Sequence, residues 1–343
     1  KFKDWRVAQV CNEKPVKHHY VDRKKYKFLM ATHTHRVLDL GPTVSYLDEC
    51  WDDFEDSSVA SDEPTVITGW RLWIARGIWS VVLLTTIGIF VSSIQPYFDF
   101  VMFFPKFWFS SPDYSTALEQ LNLSAGFYHG YLIALQSIQV VVCLVIAGLI
   151  FKNKSNDWLA LFVSLTLVAY AASQGDQIGA LLMNMPQLRY VALPSFALAE
   201  TSLLLLLYFF PDGDCSPGWT KPLAWIWVIW QLSNLVYEAS PLNPALWPTL
   251  TRNLVMLAWF STGLFAQLWS YVKEFTQVQR QQTKWVLFGF VLSVVGMYVP
   301  AILKGIIPSL GSPGMGAVVY EILFVEGFAR LAFLLIPVAL LIS

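Results

Sequence analysis

The stretch FYHGYLIALQSIQVVVCLVIAGLIF at 127–151 decides the fold of this chain, because it is long, apolar and free of Asp, Glu, Lys and Arg. An α-helix rises about 1.5 Å per residue, so about 20 apolar residues cross the roughly 30 Å hydrocarbon core of a bilayer. Comparable stretches lie at 72–94, 158–181, 190–210, 222–239, 249–271, 285–304 and 317–342. The sequence therefore predicts an all-α membrane protein with about eight transmembrane helices.

A count of seven spans is the alternative, because Gln231, Ser233 and Asn234 interrupt the stretch at 222–239. A β-barrel is disfavoured, since the apolar runs are continuous and lack the alternation of barrel strands. The chain is 55% hydrophobic and 14% charged with a net charge of −1. This composition excludes an ordinary soluble enzyme core, and the near-zero charge gives no reason to expect nucleic-acid binding.

The distribution of Lys and Arg predicts the orientation, because positively charged loops stay on the cytoplasmic side. With eight spans, one side carries Arg71, Arg76, Lys152, Lys154, Lys221, Lys273, Arg280 and Lys284, and the other carries Lys106, Arg189, Arg252 and Lys304. Both termini are therefore predicted in the cytoplasm, and the expected location is a bacterial inner membrane. Cys11, Cys50 and Cys215 then face the reducing side, and no disulfide is expected.

Residues 1–70 are predicted to form a separate, charged cytoplasmic tail before the membrane domain at 71–343. Residues 1–36 contain ten Lys or Arg and three acidic residues, whereas residues 37–64 contain nine acidic residues and no Lys or Arg. One interpretation is a solvated, partly disordered segment. The other is a segment that folds back on itself, docks a cytoplasmic partner of matching charge or contacts anionic lipid, because its aromatic content exceeds that of most disordered segments.

The segment 95–126 is predicted to be the one long outer loop. Its stretch YFDFVMFFPKFWF at 97–109 is too short to span the membrane and too aromatic for an ordinary solvated loop. Anchoring in the aromatic belt at the interface is the simpler interpretation. A re-entrant segment or a lid over a lipophilic ligand site is the other.

Four further stretches carry a family resemblance. They are FKNKSNDWLALFVSLTLVAYAA at 151–172, LYFFPDGDCSPGWTKPLAWIWVIWQ at 207–231, SPLNPALWP at 240–248 and VQRQQTKWVLFG at 278–289. In this order and spacing they resemble the membrane-sensor region of a family of bacterial multi-pass sensor histidine kinases, over residues 72–343. The resemblance implies a module that receives a signal in the membrane and passes it to a cytoplasmic output.

The charged tail and the missing kinase depart from that family. A histidine kinase needs a phospho-acceptor His on a dimerising helix and a nucleotide-binding domain, and neither pattern follows the last span. The P-loop pattern GxxxxGK[ST] is also absent. We therefore expect no catalysis by these 343 residues; histidine kinase activity would require a natural chain that continues past Ser343.

Three charges within predicted spans are candidates for coupling between helices: Glu200, Glu326 and Arg330. Intramembrane charges are costly and are usually partnered or functional. Glu200 and Arg330 lie at similar depth, which predicts an interhelical contact. A pair within the last helix is the alternative, because Glu326 precedes Arg330 by four residues; a role in ligand or proton binding is the third interpretation.

A second candidate is the junction of Arg280, Lys284 and Trp285, which joins a polar helix to the membrane. Cationic side chains there can reach headgroups while Trp lies at the interface. The junction is either purely structural or relays a helix shift. Towards the outer side, Gln136, Gln139, Gln174, Gln177, Asp176, Glu238 and Glu321 leave room for a polar vestibule between helices.

His129 is a candidate ligand of a haem iron or a chlorophyll magnesium, although hydrogen bonding or interfacial placement is a commoner reason for such a His. No metal site is predicted, because the His and Cys spacing of the tail does not match ordinary zinc sites. Fifteen tryptophans permit contacts with lipid, quinone, carotenoid or chlorophyll, and belt anchoring accounts for many of them.

The sequence predicts a transmembrane sensor-like module, expected to work as a homodimer, that binds a lipophilic or outer-side cue or a partner and transmits a helix displacement. The alternative is a structural or accessory subunit of a larger respiratory or photosynthetic membrane complex, in contact with other membrane proteins. A transporter has less support, since no inverted repeat is evident.

Overall fold

A computed structural model describes residues 66–103, 118–173, 175–211, 213–237, 239–273, 277–311 and 315–342. The predicted charged tail, except for its last residues, lies outside them. The described part is all-α and contains no strand. Its helices are α1 Trp70–Phe103, α2 Ala125–Lys154, α3 Trp158–Ala171, α4 Gly175–Asn184, α5 Arg189–Phe209, α6 Thr220–Val236, α7 Thr249–Lys273, α8 Gln277–Ile306, α9 Pro308–Gly311, α10 Met315–Tyr320, α11 Ala329–Phe333 and α12 Leu335–Ile342.

A π-helix at Glu321–Phe328 joins α10 to α11, and the run Met315–Leu341, here called the last span, is long and apolar enough to cross a membrane. Among the described residues five other runs meet the same condition: Trp70–Asp99, Gly126–Lys154, Pro186–Phe209, Thr249–Lys273 and Thr283–Ile306. The membrane character predicted from sequence is therefore confirmed.

Two predicted spans have a different form. The stretch at 158–181 is not one helix, because α3 ends at Ala171 and α4 begins at Gly175. The stretch at 222–239 forms α6, which has 17 residues and is not among the six membrane-length runs. The predicted loop at 95–126 is also wrong at its beginning, since α1 continues through Pro96 to Phe103.

Hydrogen bonds between helices define their relative directions. The Tyr131 hydroxyl of α2 donates to the Ile322 carbonyl at 3.0 Å, and farther along both helices Arg330 donates to the Gln136 side chain. α2 and the last span are therefore parallel. The beginning of α1 lies beside the end of α2, because Arg76 donates to the Ser155 hydroxyl at 2.7 Å. The beginning of α1, the end of α2 and the end of the last span thus share one side of the bundle.

The apolar core is closely packed where α5 meets α7. A Cβ added to Gly263 would lie 2.9 Å from both Cβ and Cδ1 of Leu207, so only glycine allows this approach. The Gln267 side-chain amide donates to the carbonyls of Leu207 and Phe210, each at 2.6 Å. These carbonyls belong to the end of α5, where no intrahelical donor remains for them.

Candidate functional site

Arg330 is the centre of a polar cluster in the middle of the last span. Its guanidinium donates to Glu326 Oε2 from Nε at 3.0 Å and from Nη2 at 2.8 Å. Its Nη1 donates to Gln136 Oε1 on α2, and Gln136 Nε2 donates to the Ala171 carbonyl at 3.3 Å. One charged side chain thus connects the last span to α2 and, through Gln136, to the end of α3.

The pair within the last helix, Glu326 with Arg330, is therefore present. The predicted contact between Glu200 and Arg330 is not: no salt bridge or hydrogen bond joins them among the residues that the structure describes. The reason is geometric, because the four-residue spacing brings Glu326 onto the same helical face as Arg330. Gln136 then takes the interhelical position that the sequence assigned to Glu200.

The π-helix lies directly beside this cluster. The hydroxyl of Tyr131 is bonded to the Ile322 carbonyl within it, and a Cβ added to Gly327 would collide with that hydroxyl. π-helical turns are rare and are frequently found at functional sites. Tyr131, Gln136 and Arg330 are here called the α2 contact. Sequence reasoning missed Tyr131, since nothing in an apolar run distinguishes a tyrosine that reaches another helix.

The opposite face of the last span packs closely against α8 through small residues, and the one ion pair between these two helices in the described part of the chain, Lys304 with Glu321, lies at the end of α8. A Cβ added to Gly289 would lie 2.9 Å from both Ala339 Cβ and the Leu335 carbonyl oxygen. The Ser293 hydroxyl donates to the Ala332 carbonyl at 2.5 Å, and Gly296 also faces Ala332. Gly289, Ser293 and Gly296, here called the α8 contact, follow the spacing of small residues that brings membrane helices together.

The gap between α3 and α4 lies close to several buried amides. Gln139 is 1% exposed, and neither of its amide atoms has a partner in the described part of the chain. Gln177 donates to the Ser93 hydroxyl at 2.5 Å, but its Oε1 is unpaired among those same residues. Buried unpaired amides are uncommon and indicate a site for water or a ligand.

Glu200 lies near the middle of α5 and is half-buried. It is within electrostatic range of the Tyr170 and Tyr298 hydroxyls on α3 and α8. It makes neither an ion pair nor a hydrogen bond to any residue in the described ranges. Of the three charges singled out from sequence, Glu200 is the one without a partner there.

Among the described residues, the outer-side Gln136, Gln177 and Glu321 do not gather into one vestibule. Lys304 Nζ lies 2.7 Å from Glu321 Oε2, so Glu321 is paired at the end of α8. Gln136 belongs to the Arg330 cluster and Gln177 contacts α1 through Ser93. Gln174, Glu238 and the side chain of Asp176 lie outside the described residues.

The junction residues lie on the exposed surface at the beginning of α8. Arg280 donates to the Val272 carbonyl of α7 at 2.9 Å, and Lys284 lies 6.0 Å from the Trp285 ring centroid. Trp285 is itself half-exposed. Because α8 runs without interruption from Gln277 to Ile306, this junction and the α8 contact belong to one helix.

His129 lies in the first turns of α2, and its side chain is outside the described residues. No group of three His, Cys, Asp or Glu suited to a metal occurs among the residues that the structure does describe. Four tryptophans cluster where α6 faces α7: Trp227, Trp230, Trp247 and Trp259, with ring centroids 5.2–6.0 Å apart. The sequence permits lipophilic contacts for the deeper Trp227, Trp230 and Trp259, whereas it places Trp247 near a span end.

The Arg330 cluster can hold charge in a membrane interior. It joins the last span to α2 by a few polar bonds, beside the tightly packed pair of α8 and the last span. No catalytic constellation is formed by these groups within the described ranges. Comparison with protein-family models, with curated proteins and with solved structures found no match to this chain.

Proposed function

We propose that this chain is a transmembrane sensory module in which α8 and the last span move together relative to α2. The observation that carries this proposal is the difference between the two faces of the last span. Its α8 contact is close-packed and its α2 contact is polar, centred on Arg330 beside a π-helix. Packed interfaces resist gradual deformation, whereas a few hydrogen bonds can exchange partners between two arrangements.

In this proposal the membrane is crossed eight times. The pair α3 and α4 forms one interrupted crossing, and α6 forms a short one. The shared side of the α1 beginning and the α2 end carries Arg71, Arg76, Lys152 and Lys154, so the positive-inside rule places that side in the cytoplasm of a bacterial inner membrane.

The resemblance to sensor histidine kinases supports the same proposal. The end of the last span and the junction of Arg280, Lys284 and Trp285 would then lie on the cytoplasmic side, where an output domain or partner can read the displacement. A cue acts only if it binds one helix arrangement more tightly than the other. The chemistry of signalling would belong to another domain or another protein.

A second candidate is an accessory subunit of a larger membrane complex. The observation that favours it is α1, the least buried of the six membrane-length helices, with a row of exposed apolar side chains that a partner helix or lipid can cover. Contacts with pigment or quinone would suit the deep tryptophans in this candidate.

Native mass spectrometry of the protein isolated from its own membrane separates the two candidates. A homodimer without other polypeptides supports the sensor. Fixed stoichiometry with other membrane proteins, at a subunit mass near 38.9 kDa, supports the accessory subunit and contradicts the sensor. A control preparation from a strain that lacks this chain identifies polypeptides that copurify non-specifically.

A further inference from the structure

Four cationic side chains gather where the beginning of α1 lies beside the end of α2. The Ile67 N–H donates to the Asn156 carbonyl at 2.7 Å. Arg76 of α1 donates to the Ser155 hydroxyl, also at 2.7 Å. These two bonds hold the chain between Ile67 and Arg76 beside the residues that end α2. The four cations, here called the α1–α2 basic surface, are Arg71, Arg76, Lys152 and Lys154.

No ion pair in the described part of the chain neutralises these four charges. Asp157 is close to them in sequence, but its Oδ1 accepts the N–H groups of Leu159 and Ala160 and so caps α3. Arg76 bonds to Ser155 through Nη2, and its Nε donates to no group within the described ranges. The α1–α2 basic surface therefore keeps its positive charge and some of its donors for an external acceptor.

The helix dipoles explain only half of this surface. Cations are stabilising at the end of a helix, and anions are stabilising at its beginning. Lys152 and Lys154 lie in the last turn of α2, where the dipole favours them. Arg71 lies in the first turn of α1, which contains no acidic residue. An external anion would therefore stabilise the beginning of α1.

The neighbouring side chains indicate the chemical class of that anion. Trp70 and Trp73 are 69% and 73% exposed, and exposed Trp is typical of the membrane–water interface. The guanidinium carbons of Arg71 and Arg76 each lie 6.0 Å from the centroid of one of these rings. Exposed apolar side chains continue along α1 at Ile74, Ile78, Val81 and Leu84. A soluble anion would use the cations alone, whereas an anionic phospholipid would use both the cations and the apolar row.

We propose that the α1–α2 basic surface binds the headgroup phosphate of an anionic phospholipid whose acyl chains lie along the exposed apolar row of α1. The exposed side chains of Arg71, Lys152 and Lys154 donate to the phosphate oxygens. A bound lipid then connects α1 to α2 in addition to the bond from Arg76 to Ser155. This inference goes beyond the proposed function, because a sensory module and an accessory subunit would both retain such a lipid.

The test is a titration of the full chain, in detergent, with phosphatidylglycerol or with the zwitterionic phosphatidylcholine, in which native mass spectrometry resolves the first bound lipid. The natural chain should bind phosphatidylglycerol more tightly. Lys152→Gln/Lys154→Gln should weaken that binding about fivefold or more, because a single Lys or Arg near an anionic lipid surface contributes about fivefold. Lys221→Gln/Lys273→Gln is the matched control, since it removes two exposed charges from α6 and α7.

Equal affinity of the natural chain for the two lipids would overturn the proposal and would leave the surface to a soluble acidic partner. Unchanged affinity in K152Q/K154Q, or an equal loss in K221Q/K273Q, would also overturn it, because the preference would then not belong to this surface. Glycerol phosphate, which lacks acyl chains, should not displace the lipid; complete displacement would contradict the assignment to a phospholipid. If K152Q/K154Q does not fold, Arg71→Gln decides, and an affinity equal to that of the natural chain overturns the proposal.

Discussion

The two faces of the last span differ in how they are held. Towards α8 the last span packs on Gly289, Ser293 and Gly296 so closely that an added methyl group has no room, and one ion pair, Lys304 with Glu321, lies at the end of α8. Towards α2 it consists of the Arg330 cluster and the Tyr131 hydrogen bond. From this difference we propose that α8 and the last span move as one unit, whereas the few bonds to α2 can exchange.

The largest loss of unfolding free energy is expected from Arg330→Gln. It leaves Glu326 as an uncompensated carboxylate in the last span. The two side chains are 11% and 17% exposed, so the loss should approach about 3–5 kcal/mol, the cost of removing one partner of a fully buried ion pair. Unfolding free energies in mild detergent, measured by steric trapping, check this value. The double variant Glu326→Gln/Arg330→Gln should recover a large part of the loss; a double variant as unstable as R330Q would show that the pair does not explain the effect.

Gly289→Ala should be the next most damaging change. The added Cβ would meet Ala339 Cβ and the Leu335 carbonyl oxygen at 2.9 Å, and overpacking of this kind costs about 1–3 kcal/mol. The same unfolding measurement applies. Gly148→Ala in α2 is the control, because no atom lies within 4 Å of its added Cβ. Equal stability of G289A and G148A would mean that the α8 contact is looser than described.

Tyr131→Phe tests the α2 contact with a smaller expected loss. It removes the hydroxyl that donates to the Ile322 carbonyl, and one such hydrogen bond contributes about 0.5–1.5 kcal/mol. Tyr190→Phe is a matched control, since Tyr190 is largely exposed. If Y131F lost as much stability as G289A, the two faces of the last span would not differ as proposed.

The smallest effect is expected at Cys215, which serves as a reference position away from both faces of the last span. Burial raises the pKa of its thiol, and the negative charge of Asp214 raises it further. The hydrogen bond from Thr220 and the positive charge of Lys221 lower the pKa, but the net change is upward. Because only the thiolate reacts, maleimide labelling at pH 8 should be slower than for a free cysteine peptide and should accelerate as the pH rises. Y131F should leave this rate unchanged; a faster rate would indicate that the variant loosens the whole bundle.

Sequence reasoning predicted the helical membrane fold because long apolar runs carry a strong and local signal. It placed Glu326 with Arg330 as one of two pairings, since four-residue spacing is visible in the sequence. It could not choose between them, because the position of Gln136 depends on how α2 packs. The break after Ala171 was missed although the polar run at 173–177 signals it, because the apolar residues on both sides keep the average hydropathy of the whole stretch high. Small residues at 289, 293 and 296 did carry a signal that could have identified the α8 contact.

The most direct test of the central claim is the distance between spin labels across the α2 contact. Labels replace Lys154 and Leu341, both exposed at ends of parallel helices, in a chain whose four native cysteines are changed to alanine. A second pair at Gln281 and Leu341 lies within the α8 and last-span unit. Both pairs are measured by double electron–electron resonance in lipid nanodiscs, before and after Gln136→Ala cuts the α2 contact.

If α8 and the last span move as one unit relative to α2, Q136A should shift and broaden the distance distribution of the 154–341 pair by about 5 Å, one helical turn. The 281–341 distribution should stay the same. Unchanged distributions for both pairs would contradict the account and describe a rigid scaffold, and a shift in the 281–341 pair would show that α8 and the last span do not move as one unit.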